Sequence, residues 1–113
     1  MKYGIVIRYE FAPAWLRLTR DERNAQGQVF QKEIVAPFAD RLSVRHFDAE
    51  AFNAGFSDFL FVETDDLNAY YYFIERLRDS DFIAHEWVRI DDITIGIQDG
   101  FKEYENAHEN ERG

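Results

Sequence analysis

The run Phe59-Leu60-Phe61-Val62 constrains this chain more than any other four residues. Successive side chains of a strand leave on opposite faces, so Phe59 and Phe61 share one face and Leu60 and Val62 the other. Neither face is polar. Such a strand belongs at the centre of a sheet that is covered on both sides. The amino-terminal stretch poses the same problem: Tyr3, Ile5, Ile7, Tyr9 and Phe11 alternate onto one face, while Val6 adds an apolar group to the face of Gly4, Arg8 and Glu10. A fold for these 113 residues must hide two faces of one sheet.

Two helices are available to cover the first face. Thr19-Arg20-Asp21-Glu22 has the spacing of a capping box, and its two acids suit the positive end of the helix dipole. Behind it Phe30, Ile34 and Phe38 recur every four residues, with Val29 widening the stripe. Gly27 weakens this helix by ~1 kcal/mol relative to Ala unless close packing requires a missing side chain, and Pro37 ends or kinks it. The second helix starts after Thr64-Asp65-Asp66. Leu67, Tyr70, Tyr71, Ile74 and Leu77 form its apolar stripe, with Tyr70 and Tyr71 expected as buried anchors and Tyr72 outside. Asp79-Ser80-Asp81 stops it.

The other strands are Leu42 to Asp48 and the segment Trp87 to Ile97, in which Asp91-Asp92 marks a bulge or a turn between two shorter strands. Ala12-Pro13-Ala14 breaks the first strand, and Asp48 to Gly55 is a connector, with Asn53, Gly55, Ser57 and Asp58 supplying turn chemistry. Phe101 and Tyr104 suggest a short terminal helix that docks. Residues 1–104 are therefore expected to form one α+β domain, and residues 105–113, polar except for Ala107, a frayed tail.

The order strand, helix, strand, strand, helix, strand is the ferredoxin-like βαββαβ arrangement, an antiparallel sheet with both helices on one face. The second face stays apolar and uncovered, which is unusual for a soluble monomer. A second copy of the same sheet is the simplest cover. The chain is accordingly expected to be a homodimer, two sheets facing one another in a dimeric α+β barrel.

The net charge of -9 argues against nucleic acid or an anionic membrane as the main partner. Ten arginines against three lysines, in so acidic a chain, point to ion pairs within the domain or across the dimer. There is no cysteine, hence no disulfide, thiolate metal site or cysteine nucleophile. No apolar run approaches the ~20 residues of a bilayer span, and Arg8 interrupts the initial apolar stretch too early for a signal peptide. A cytoplasmic location is expected. The three histidines are far apart and the acidic pairs Asp65-Asp66 and Asp91-Asp92 suit caps or turns, so no metal site is expected. There is no haem attachment motif, phosphate loop or nucleophile elbow, and no cofactor is expected, with haem ligation by His46 or His85 as the open alternative.

Ala12-Pro13-Ala14-Trp15-Leu16, Phe47-Asp48-Ala49-Glu50-Ala51-Phe52, the stretch Glu63 to Tyr71 and Asp99-Gly100-Phe101 resemble the darcynin family of small bacterial proteins, over Tyr3 to about Tyr104. The resemblance implies a dimeric α+β barrel. It carries no established reaction and no catalytic residue. The wider barrel superfamily includes cofactor-free monooxygenases, isomerases, haem enzymes and plain binding proteins, so fold alone does not set function.

Aromatic residues make up 17% of the chain, a load that points to a ring-lined pocket or interface as well as a core. Strand parity nominates Tyr9, His46, Phe59, Phe61 and Trp87 as lining a ligand site between sheet and helices, for a small apolar or aromatic molecule. His46 and Asp48 lie two apart on one strand face, where the carboxylate could hold the imidazole as a general base. Three functions remain in competition: a small-molecule binder, a cofactor-free monooxygenase or isomerase using His46 and Asp48, and an interaction protein with no ligand. His85, beside Trp87, reads as part of a solvated linker.

Overall fold

The computed structural model describes residues 1–112. Strand β1 (Tyr3–Phe11) runs into a short helix α1 (Pro13–Leu16), and α2 (Arg20–Val29) follows. The helix then widens into a π-helical stretch, Phe30–Val35, and ends in a 3-10 turn, Ala36–Phe38. Next come β2 (Ser43–Asp48), β3 (Asp58–Thr64), α3 (Leu67–Arg78), α4 (Asp81–Ala84), β4 (Val88–Ile97) and α5 (Gly100–Arg112). The sheet order is β2-β3-β1-β4 and every pairing is antiparallel. This is the ferredoxin-like α+β fold, with the two doubly apolar strands at its centre.

Local chemistry explains the element ends. Thr19 Oγ1 accepts from the Glu22 backbone N–H while Glu22 Oε1 accepts from that of Thr19, so the capping box is complete. Asp66 caps α3 by accepting from the Ala69 N–H. Pro13, which stops β1, also opens α1, because its missing N–H is one that a first helical turn leaves unpaired anyway. β4 is one continuous strand. Its register against β1 shifts between Arg8 and Tyr9, with Asp91 as the extra residue of a bulge.

One face of the sheet carries Ile5, Ile7, Leu60 and Val62, buried against the helices. Ala69, Phe73, Ile74 and Leu77 of α3 meet that face, together with Ile34 and Phe38. The α3 stripe is turned from its expected position. Phe73 is fully buried, whereas Tyr71 is 58% exposed. Tyr72 is exposed, as the helical spacing requires.

The opposite face presents Val6, Phe59 and Phe61, all half-buried, and Phe47, which is exposed. Phe47 stacks on Phe59 with ring centroids 4.9 Å apart. The Arg45 guanidinium lies over the Phe61 ring, 5.1 Å from its centroid, and pairs with Glu63. Arg8 lies over Phe56 and pairs with Asp92 at 3.7 Å. The chain's own arginines thus shade part of the face that sequence reasoning left wholly to a partner.

The carboxy-terminal segment differs from expectation in two ways. Helix α5 continues through Arg112, beyond the 105 boundary, and Phe101 and Tyr104 are exposed instead of docked. Tyr104 finds its neighbour within the helix, stacking on His108 at 6.0 Å. Gly113, the last residue of the expected tail, lies outside the described residues.

Candidate functional site

A cavity of ≈ 230 Å³ lies between the sheet and the helices. Ile7 and Tyr9 of β1, Leu60 of β3 and Ile90 of β4 form its floor. Its far wall is aromatic, from Phe11, Trp15 and Phe82, and its roof is Gly27, Phe30 and Gln31. The wall is braced ring on ring: Phe11 stacks on Trp15 at 5.0 Å, Trp15 meets Phe82 at 5.6 Å, and Phe30 meets Phe82 edge-on at 5.8 Å.

The roof explains why the space stays open. Gly27 has no side chain, and a Cβ there would meet nothing within 4 Å. Close packing therefore does not account for this glycine. Three residues further on, at Phe30, the helix takes up π geometry, which shifts the stripe of side chains off the regular period. The sequence pattern signals neither consequence.

Of the residues nominated from sequence, Tyr9 and His46 line the cavity. Phe59 and Phe61 do not. They lie on the other face of β3, opposite Leu60 and Val62, beyond reach of the helices. Trp87 packs against Trp15 at 5.7 Å and Phe82 at 5.6 Å, behind the wall. His85 stacks on Trp87 and lies 3.9 Å from Asp81. Trp15, Phe30 and Phe82 are lining residues that strand parity could not find, because they come from helices and turns.

The histidine's partner also differs. His46 Nε2 sits 2.9 Å from Asp58 Oδ1, and Asp48 is not its partner. Asp48 is exposed at the end of β2, where it accepts from the Glu50 backbone N–H at 3.4 Å. Asp58 is buried, so its carboxylate requires a donor, and register sets it diagonally across from His46 on the same face. A carboxylate only accepts, so Nε2 is the donor of this pair and Nδ1 is not engaged by Asp58. Tyr9 lies opposite Asp58 on β1. Burial, reinforced by the negative charges of Asp58 and Asp48, pushes its hydroxyl far above the usual tyrosine range. Tyr9 is a neutral donor at every physiological pH. Ser57 ties this corner together: its Oγ accepts from the Phe11 N–H at 2.9 Å and donates to the Tyr9 carbonyl at 3.4 Å. Among the described residues no three His, Asp or Glu side chains converge as a metal site would need.

A family model, Darcynin, a domain of unknown function, matches residues 4–109. The chain belongs to the darcynin family. Over 74 residues, 66% of this chain and 92% of the relative, it is 39% identical to darcynin from Chromobacterium violaceum. Against darcynin 1 from Acinetobacter baumannii the identity is 33% over 85 residues, 75% of this chain and 94% of the relative.

Two groups of solved structures share the fold. A chlorite dismutase from Candidatus Nitrospira defluvii superposes with a TM-score of 0.71 at 14% identity, covering 84% of this darcynin and 39% of the dismutase. A heme-binding protein from Thermus thermophilus gives 0.71 at 11% identity, covering 83% and 38%. This darcynin spans about two-fifths of either protein, and identities this low establish shared architecture alone. Haem does not fit the residues present. The cavity, at ≈ 230 Å³, is too small for a four-ring macrocycle, and the histidine in its wall has Nε2 engaged by Asp58. No helix among the described residues is long and apolar enough to cross a membrane.

Proposed function

We propose that this darcynin binds a small, largely apolar molecule with a single ring in the cavity between β1, β3 and the α2 helix. The observation that carries the reading is the apolar, ring-walled space of ≈ 230 Å³ with His46, Asp58 and Tyr9 at one edge. A buried cavity of ~150 Å³ accepts benzene, and drug-sized ligands fill ~300–1,000 Å³. One ring with a short substituent is the matching size. In the test, thermal unfolding is followed with a panel of single-ring aromatics. A binder of the native state raises Tm, with about 2.7 kcal/mol of added stability at a hundred times its Kd. Ile90→Phe, which fills the floor, should keep the fold and lose the response. If no compound raises Tm, the reading fails and an interaction protein without a ligand takes its place.

A homodimer is part of the same proposal. Val6, Phe59, Phe61 and Phe47 offer an apolar strip, and the same face bears both signs of charge, Arg8 and Arg45 beside Asp92 and Glu63. A two-fold copy can match such a face to itself. Sedimentation at micromolar concentration should give a dimer, and a monomer rejects it. A cysteine-free chain also suits the reducing cytoplasm.

The His46–Asp58 pair favours a second reading, a cofactor-free monooxygenase or isomerase in which His46 Nδ1 takes a proton from the bound molecule. His46→Gln should then abolish turnover and leave Tm nearly unchanged. Lost stability with unchanged turnover marks a structural histidine.

A further inference from the structure

The cavity and the protein surface come close together at α2. Gly27 and Gln31 line both the cavity and a shallow depression outside it, which also takes in Arg23, Asn24, Gln28 and Lys32. A Cβ at Gly27 would meet nothing within 4 Å, so the helix carries no side chain at the point where the two spaces adjoin. Arg23 stands four residues before Gly27 and eight before Gln31, on the same side of the helix.

Arg23 is the anomaly of this region. Its Nε is buried and donates to no partner, and Arg23 enters no ion pair among the described residues. Arg8, Arg41, Arg45 and Arg89 each lie against a carboxylate. In a chain with 22 acids, the residues around the depression include none. A dry, unpaired guanidinium nitrogen is costly, and a native structure seldom tolerates one without a reason.

We infer that Arg23 binds the carboxylate of a small aromatic acid whose ring occupies the cavity. The inference rests on the ring-binding reading above and names its substrate class. The carboxylate lies beside Gly27 and takes charge-assisted hydrogen bonds from the Arg23 guanidinium, a group suited to pairing with a carboxylate. The Gln31 amide, at the junction of cavity and depression, supplies a further donor. A ligand held this way is anchored by its ring and selected by its charge.

The test titrates the full chain with phenylacetate and 3-phenylpropionate, and separately with the corresponding amides, reading tryptophan fluorescence and Tm. At least one acid should bind roughly tenfold or more tighter than its amide, the scale of a hydrogen bond to a charged group. Arg23→Gln should abolish that preference, leaving acid and amide with equal affinity, and should not lower the ligand-free Tm, because it removes a buried nitrogen that has no partner. Equal affinity for acid and amide in the unsubstituted protein, or a preference that survives Arg23→Gln, overturns the inference while the cavity reading stands. If neither acids nor amides bind, both fall.

Discussion

The layer between helices and sheet has two halves that obey different rules. Under α3, Ile5, Val62, Ala69 and Phe73 are each 0% exposed and the space is filled. Under α2 and its π continuation, Ile7 and Leu60 lie on the same sheet face and are as well hidden from water, yet a cavity of ≈ 230 Å³ stands above them. The strands do not differ between the halves. The roofs do. α3 is a regular helix whose side chains reach the sheet every third or fourth residue. The α2 side interrupts that period with Gly27 and the π turn. Apolar residues suffice to bury a sheet, and the regularity of the helix above it decides whether the space closes.

Substitutions can break or sharpen this contrast. The largest effect is expected in the closed half. Phe73→Ala should lose about 3–5 kcal/mol in denaturant unfolding, because neighbours packed this tightly cannot collapse into the gap. A loss below about 1 kcal/mol would show that the half under α3 is also loose.

The floor of the open half should reveal itself by pH. The folded-state pKa of Tyr9 is raised above the ordinary 10.0, so its contribution is fully present below pH 10 and is lost as pH rises. Stability should fall by about 1.4 kcal/mol per pH unit above that point from this residue. Tyr70, raised mainly by burial, acts in the same direction. Tyr9→Phe should flatten the alkaline slope and leave only the Tyr70 share. An unchanged slope contradicts the buried placement of Tyr9.

At the start of the roof, Thr19→Ala removes the acceptor for the Glu22 N–H and should lower stability by about 1 kcal/mol. Hydrogen bonding from the Thr19 backbone N–H holds the Glu22 carboxyl below its usual 4.5. That share is present above pH 4.5 and fades as acid protonates the carboxylate. The smallest change should carry the opposite sign. Gly27→Ala should stabilise by about 0.5–1 kcal/mol, since the added methyl meets open space and the helix gains propensity. Destabilisation would mean that the gap in the roof is filled.

Much of this was legible in the residues because it is local. The alternation of Tyr3 to Phe11, the capping box at Thr19 and the bulge at Asp91 each lie within a few positions of their cause. The errors concern facing and partners. Strand parity misplaces Phe59 and Phe61 because a strand apolar on both sides carries no facing signal. Sequence proximity pairs His46 with Asp48, whereas its actual partner Asp58 arrives through a register that only the sheet determines. Tyr71 and Phe73 exchanged roles because a small turn of α3 moves the buried stripe by one neighbour. The π stretch has no periodic signature, so the cavity it leaves was invisible.

The contrast between the halves is tested most directly by methyl NMR during a titration with toluene. The methyls of Ile7, Leu60, Leu77, Val88 and Ile90 should shift together and saturate, while those of Ile5 and Val62 stay in place. Shifts of equal size at both sets, or at neither, would contradict an open half set beside a closed one.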